Sequence, residues 1–122
     1  MIAKNNIPQV IVELPAYISE IDNLWDESTQ IEFKNYIGNH PLAGDIIQGA
    51  GGIRKIRWRA NGKGKRGGVR VIYYFYDEFN PIFLLYAYSK NMKENLTEKE
   101  KKILQTLVKQ LKNSMRWDSN GK

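Results

Sequence analysis

Eight cationic side chains and no acidic one stand within residues 51–70 of this chain. The formal net charge of +6 is therefore +8 in this block and −2 in the rest of the protein. Such a local basic block attracts phosphate groups, so nucleic acid is the first partner that the sequence indicates. The eight residues are Arg54, Lys55, Arg57, Arg59, Lys63, Lys65, Arg66 and Arg70.

These residue types suit one reaction in particular. RNA carries its own nucleophile, the 2′-hydroxyl, and a protein needs only to align it, move two protons and stabilise the charge on phosphorus. Neighbouring cations lower the pKa of a lysine, which can then transfer protons nearer neutrality. Arginine stays charged, and its planar fork matches the phosphate oxygens. Tyrosines beside the block could stack on bases.

The usual catalytic residues are almost absent. The chain has no cysteine and a single histidine, His40, which lies in an Asn-His-Pro sequence typical of a helix end. No pair of carboxylates stands near the basic block, so neither a metal site nor a cofactor is predicted. Charged strand faces are commonly just solvated surface, and the charge block alone therefore favours plain nucleic-acid binding over catalysis.

Length and composition indicate an ordinary globular protein. With 122 residues, 42% of them hydrophobic, residues 1–122 are expected to form one domain with a polar tail from about residue 117. The longest apolar stretch, residues 82–88, is far shorter than the ~20 residues that cross a bilayer. No signal-peptide pattern precedes it, so a cytoplasmic location and no membrane partner are expected.

The first half of the chain predicts a strand and two helices. Residues 9–14 are rich in β-branched residues and end at Pro15. A helical spacing follows in Ile18, Ile21, Leu24 and Trp25, and Asp26 can cap a second helix. The apolar residues of that second helix are Ile31, Phe33, Tyr36 and Ile37. Residues 43–52 hold four glycines and predict a loop.

The second half predicts three strands and a helix. Residues 53–59, 69–76 and 82–88 are joined by short turns, which favours an antiparallel meander, with a glycine-rich hairpin loop over 61–68. Alternation in the first strand places Lys55, Arg57 and Arg59 on one face. Thr97 and Glu100 have capping-box spacing. The helix after them presents one apolar face, made of Leu104, Leu107, Val108, Leu111 and Met115.

Several of these features together resemble a known protein family. Residues 51–74 (GGIRKIRWRANGKGKRGGVRVIYY), with Tyr88-Ser89-Lys90-Asn91 and the later Asn95-Leu96-Thr97, resemble the RelE/HigB superfamily of bacterial toxins. The match is nearest to the HigB-like branch, with the pattern G-K-G-K-R-G-G-x-R-x-I-Y-Y. It covers about residues 40–113, while the first forty residues fit by element order.

The resemblance implies an α+β fold: a small antiparallel sheet with two N-terminal helices on one face, a basic cleft on the other, and a C-terminal helix. It also implies a type II toxin that cleaves mRNA on the ribosome, needs no cofactor, and is neutralised by a cognate antitoxin, expected to carry a helix-turn-helix DNA-binding domain. The catalytic positions it implies are Lys55, Arg57, Arg70 and Lys90. Contacts to RNA or the ribosome are expected from Arg59, Lys63, Lys65, Arg66 and Tyr88.

The sequence departs from the family pattern at several positions. Met92 replaces the glutamate that follows Lys-Asn, and Asn91 stands where some members have a second arginine. A catalytic tyrosine near the C-terminus has no clear equivalent, so the acid and the base are not assigned.

The two alternative functions are a ParE-like toxin of the same fold acting on DNA gyrase, and a non-catalytic nucleic-acid-binding module.

Overall fold

The computed structural model describes residues 7–60 and 68–115, and a central sheet organises them. Its strands are β1 (Ile11–Glu13), β2 (Asp45–Ile46), β3 (Arg54–Trp58), β4 (Val69–Tyr74) and β5 (Ile82–Ser89), and its helices are α1 (Pro15–Leu24), α2 (Glu27–Asn39) and α3 (Glu98–Ser114). The sheet order is β1-β5-β4-β3-β2. The predicted α+β class is confirmed. Most of the predicted hairpin loop, and the predicted polar tail, lie outside the described residues.

The meander predicted for the second half of the chain is confirmed, because β3, β4 and β5 pair antiparallel in sequence order. The sheet as a whole is mixed. β1 runs parallel to β5, with Ile11 opposite Ile82 and Glu13 opposite Leu84. The sequence pattern of β1 does not reveal this direction, since its partner lies at the far end of the chain.

Helices α1 and α2 cover one face of the sheet. Pro15 starts α1 at a position where its missing N–H is harmless, and the buried residues are Tyr17 and Ile21. The predicted contact face was partly wrong, because Ile18 is 51% exposed and Tyr17 takes its place in the core. In α2 the predicted cap is confirmed, since the Asp26 carboxylate accepts from the Thr29 N–H at 2.9 Å.

The buried side of α2 is narrower than predicted. Phe33 and Ile37 are buried against the sheet, whereas Ile31 is 49% exposed and Tyr36 stacks on Trp58 at the edge. Together the two helices enclose a core with the sheet residues Ile56, Val71 and Leu84. This face of the sheet is therefore closed to any ligand.

Helix α3 packs on the opposite face. The predicted capping box is confirmed: the Thr97 hydroxyl accepts from the Glu100 N–H at 3.0 Å, and the Glu100 carboxylate accepts from the Thr97 N–H at 2.8 Å. Leu104 and Val108 of α3 are buried against the sheet, and the other predicted apolar residues of α3 pack beside them. The face predicted to hold the basic cleft is therefore shared with α3.

Two local features differ from the sequence prediction. The segment predicted as loop over 43–52 contains the two-residue strand β2, which places Asp45 opposite Lys55 at the sheet edge. In β5 the pairing with β4 shifts, because Ile72 faces Tyr86 while Tyr73 faces Leu84, leaving Leu85 as an extra residue. After this β-bulge, Tyr86 and Tyr88 lie on the α3 face.

Candidate phosphate-binding site

The strand pairing brings three of the four predicted catalytic cations onto one face. Arg57 lies opposite Arg70, and Arg70 lies opposite Tyr88, so these three residues form one row across the sheet. The adjacent row holds Lys55, Ile72 and Tyr86. Side chains that face each other in an antiparallel pair have Cβ atoms ~5 Å apart, so the long side chains of Arg57 and Arg70 can reach the same phosphate group.

Arg70 is the deepest cation of the group. Only 6% of its surface is exposed, whereas Arg57, directly opposite, is exposed. Like charges placed directly opposite each other destabilise a sheet. The pairing of two arginines in one row is therefore a cost to folding that an anion bound between them would relieve.

Lys55 occupies a setting that favours its neutral form. Partial burial and then the positive charges of Arg57 and Arg70 lower the pKa of its ammonium group, while Asp45 and Glu94 act in the opposite direction. Its Nζ donates a hydrogen bond of 3.0 Å to the Asn95 side-chain oxygen. The Asn95 amide is neutral, so it positions the Lys55 ammonium group without adding a negative charge that would raise its pKa. Of the residues in the two rows, Lys55 is thus the one best suited to transfer a proton.

The glycine directly before β4 is required by its surroundings. Gly68 has φ +62°, and a Cβ on it would lie 2.2 Å from the Trp58 carbonyl oxygen. No other residue fits so close to the opposite strand. The second glycine of the Gly-Gly pair therefore lets β3 and β4 close together at the level of Arg57 and Arg70.

The remaining predicted cations occupy different places. The N–H of Lys90 donates to the Gly68 carbonyl at 3.2 Å, so Lys90 lies at the rim beside the start of β4, with its side chain exposed. The predicted alternation fails at Arg59, because β3 ends at Trp58 and the Arg59 guanidinium forms a two-pronged ion pair with Glu32 of α2. Lys63, Lys65 and Arg66 lie outside the described residues.

Tyr88 was expected to contact RNA or the ribosome, but its ring is fully buried. The Lys93 ammonium lies 5.7 Å from the ring centre and also covers Tyr86, at 5.4 Å. Burial raises the pKa of the Tyr88 hydroxyl, against the opposing effect of Arg70 and Lys93. Tyr88 therefore supports the floor of the site under Arg70 and presents no open face to RNA.

The contacts of three residues beside the site were not predicted from the sequence. Lys93 donates to the Tyr86 hydroxyl at 3.3 Å and forms an ion pair with Glu100, which joins the β5–α3 connection to the first turn of the helix. Asn95, in the same connection, reaches Lys55. Glu100 was predicted as part of the capping box with Thr97. The sequence did not indicate that Glu100 also pairs with Lys93, since Lys93 precedes the helix.

The described residues contain no helix that is both long and apolar enough to cross a membrane. Within the same residues, no group of three or more acidic or histidine side chains is placed to hold a metal ion.

The fold and the site define an α+β domain whose mixed sheet is covered by two helices on one side and carries paired arginines on the other. The sequence model of the family described as "RelE toxin of RelE / RelB toxin-antitoxin system" matches residues 44–118. This span contains β2 to β5 and α3, with every residue of the two rows. The chain belongs to the RelE toxin family.

Membership confirms the predicted resemblance to the RelE/HigB superfamily. The protein is a toxin of a type II toxin–antitoxin system, and a cognate antitoxin is its partner. The family match begins after α2, so the part of the chain that resembled the family only by element order is also the part that the match leaves out.

Proposed function

We propose that this toxin is a ribosome-dependent endoribonuclease that cleaves mRNA and thereby inhibits translation. The observation that carries the proposal is the single row formed by Arg57 and Arg70 next to Lys55, whose pKa is lowered. Paired guanidinium groups bind a phosphate, and a lysine that loses its proton more easily can act on the oxygens beside it. The RNA itself supplies the nucleophile, which is its 2′-hydroxyl.

In the proposed reaction the 2′-oxygen loses its proton and attacks the adjacent phosphorus, and the bond from phosphorus to the 5′-oxygen breaks. The leaving 5′-oxygen takes up a proton, so the products are a 2′,3′-cyclic phosphate and a 5′-hydroxyl. Arg57 and Arg70 stabilise the charge that develops on the phosphate oxygens. Lys55 transfers one of the two protons, and Lys90 binds the RNA backbone at the rim.

The ribosome supplies the remaining alignment. Three further cations, Lys63, Lys65 and Arg66, are proposed to bind ribosomal RNA rather than the phosphate at the bond that breaks. Arg59 is held by Glu32 and contributes to RNA binding only if that ion pair opens. The antitoxin is proposed to carry a helix-turn-helix DNA-binding domain.

The proposal is tested with purified toxin, ribosomes and an end-labelled mRNA. Cleavage is expected only when ribosomes are present, and the fragments should carry a 2′,3′-cyclic phosphate and a 5′-hydroxyl. Arg57→Ala with Arg70→Ala should abolish cleavage in vitro and growth arrest in cells. Lys102→Ala with Lys109→Ala is the matched control, since both lysines are exposed on α3 and the charge change is equal.

Three outcomes would overturn this function. Inhibition of DNA gyrase without RNA cleavage would assign the ParE-like activity instead. Ribosome binding without cleavage, unchanged by the double substitution, would leave a non-catalytic nucleic-acid-binding module. A folded double variant that still arrests growth as wild type would show that the active site lies elsewhere.

A further inference from the structure

An open apolar cleft lies at the other end of β4 from the arginine pair. Its volume is about 560 Å³. Apolar side chains from three separate segments line it: Ile7, Leu42, Phe75 and Phe79. The exposed fractions of Ile7, Leu42 and Phe79 are 64%, 63% and 61%. Large apolar side chains gathered around one cleft and left this exposed mark a surface that another molecule covers.

The same cleft carries negative charge. Asp77 and Glu78 are part of its lining. One oxygen of the Asp77 carboxylate accepts from the Phe79 N–H at 3.0 Å and from the Asn80 side chain at 2.8 Å. The other oxygen is buried and has no hydrogen-bond partner within residues 7–60 and 68–115. The two acidic residues make the lining of the cleft negative, so the cleft is suited to a cationic group.

These properties decide between the possible occupants. An acidic lining repels the phosphates of ribosomal RNA, which removes the ribosome's RNA as the molecule that covers the cleft. A peptide segment with one large apolar side chain and a neighbouring lysine or arginine would satisfy both the apolar walls and Asp77. We propose that the cleft receives such a segment of the cognate antitoxin. The proposal rests on membership of the toxin family and not on RNA cleavage.

The position of the cleft has a consequence for neutralisation. Arg70 and Tyr74 lie near opposite ends of β4, and four residues of strand span ~13 Å. Phe75, which lines the cleft, comes directly after Tyr74. A segment bound in the cleft therefore does not itself cover Arg57 and Arg70. If the toxin acts on the ribosome as proposed above, neutralisation from this site would act by obstructing the approach of the ribosome.

The occupant can be captured directly. Phe79 is replaced by p-benzoylphenylalanine in the full-length toxin, mixed with purified antitoxin and irradiated, and the crosslinked peptide is identified by mass spectrometry. The same probe at Ile103, which is 57% exposed on α3, is the control. A crosslink from position 79 to the antitoxin, absent at position 103, supports the proposal. A crosslink to a second toxin copy, or to the toxin's own chain under saturating antitoxin, overturns it.

Affinity measurements test the chemistry of the segment. Leu42→Asp should weaken antitoxin binding at least ~10-fold, as expected for an anchor contact, whereas Ile103→Asp should leave it unchanged. Asp77→Asn keeps the oxygen that caps the turn and removes the charge, and should weaken binding by about 10-fold. Wild-type affinity in Leu42→Asp would place the antitoxin elsewhere. Wild-type affinity in Asp77→Asn would show that no cation enters the cleft. Because binding is the readout, these results stand whether or not the toxin cuts RNA.

Discussion

Arg57 lies directly opposite Arg70 in the pairing of β3 with β4. The free energy of folding is less favourable for two like charges in this position than for a neutral pair. Replacing Arg57 with Gln should therefore stabilise the protein by about 0.2–1 kcal/mol, more at low salt than at high salt. Chemical denaturation at two ionic strengths measures it.

The same substitution should slow cleavage on saturating ribosomes by about 100-fold, because it removes a charged donor to the phosphate. A variant that is more stable and slower would show that the arginine pair is kept for the reaction. If Arg57→Gln destabilises the fold, the two guanidinium groups stabilise each other through an anion or a neighbour, and the expectation of repulsion is wrong.

Proton transfer by Lys55 predicts a specific change in the pH–rate profile. Lys55→Arg keeps the positive charge but cannot give up its proton near neutrality, so ribosome binding should persist while single-turnover cleavage falls. Asn95→Asp should place a negative charge at the Lys55 ammonium and raise its pKa. The limb of the profile that reports Lys55 should then move to higher pH.

Asn91→Asp is the control for that experiment, since Asn91 is exposed in the same connection and the charge change is equal. Its profile should match that of the wild type. A limb that stays in place in Asn95→Asp would remove Lys55 from the role of proton-transfer residue, even if Lys55→Arg is slow.

Lys63, Lys65 and Arg66 are predicted to bind and not to catalyse. Changing these three residues to Gln should weaken ribosome association and flatten its salt dependence, by about 0.7 to 0.9 in the logarithmic slope for each phosphate that is no longer bound. Changing the exposed residues Lys99, Lys102 and Lys109 to Gln removes the same charge from α3 as a control. Normal binding with slow cleavage in the first triple variant would assign Lys63, Lys65 and Arg66 to the catalytic machinery.

The ion pair between Lys93 and Glu100 predicts a pH-dependent stability. Burial acts to raise the pKa of Glu100, but the hydrogen bonds from Lys93 and Thr97 outweigh it and hold this pKa below its ordinary value of 4.5. The stabilisation is therefore present above about pH 4.5 and is lost as the pH falls through the lower folded-state value. Glu100→Gln should reduce stability at pH 7 by ~1 kcal/mol or less and flatten this acid limb.

Glu98→Gln is the matched control, because Glu98 lies in the same first turn and pairs with Lys101 at 3.3 Å from a largely exposed position. Denaturation curves from pH 7 down to pH 3 compare the two variants. Equal acid limbs in Glu98→Gln and Glu100→Gln would mean that the helix terminus, and not the pair with Lys93, produces the effect.

Local signals in the sequence predicted much of this structure. The caps at Asp26 and Thr97 involve residues three positions apart, and the alternation that places Lys55 and Arg57 on one face needs only the strand itself. β2 was missed because a two-residue strand exists only through its partner. Arg59 was misplaced because alternation stops where the strand ends, and Glu32 then offers a closer partner.

The parts of the site that sequence could not predict are contacts between distant segments. Asn95 meets Lys55 across forty residues, and Lys93 reaches the sheet only because the chain after β5 turns back over it. The burial of Tyr88 likewise depends on α3 packing above it. Residue types identified the cations. The packed fold determined which of them share a face and which carry a lowered pKa.

The extra residue Leu85 makes β5 tolerant of a change in chain length at the bulge. Leu85 and Tyr86 both pack on the α3 face, so deleting Leu85 would place Tyr86 directly after Leu84 in regular alternation. Ala87 would still pair with Val71 and Tyr88 with Arg70, each on its present face. Relatives whose last strand is one residue shorter at this point can therefore build the same floor from the same side chains.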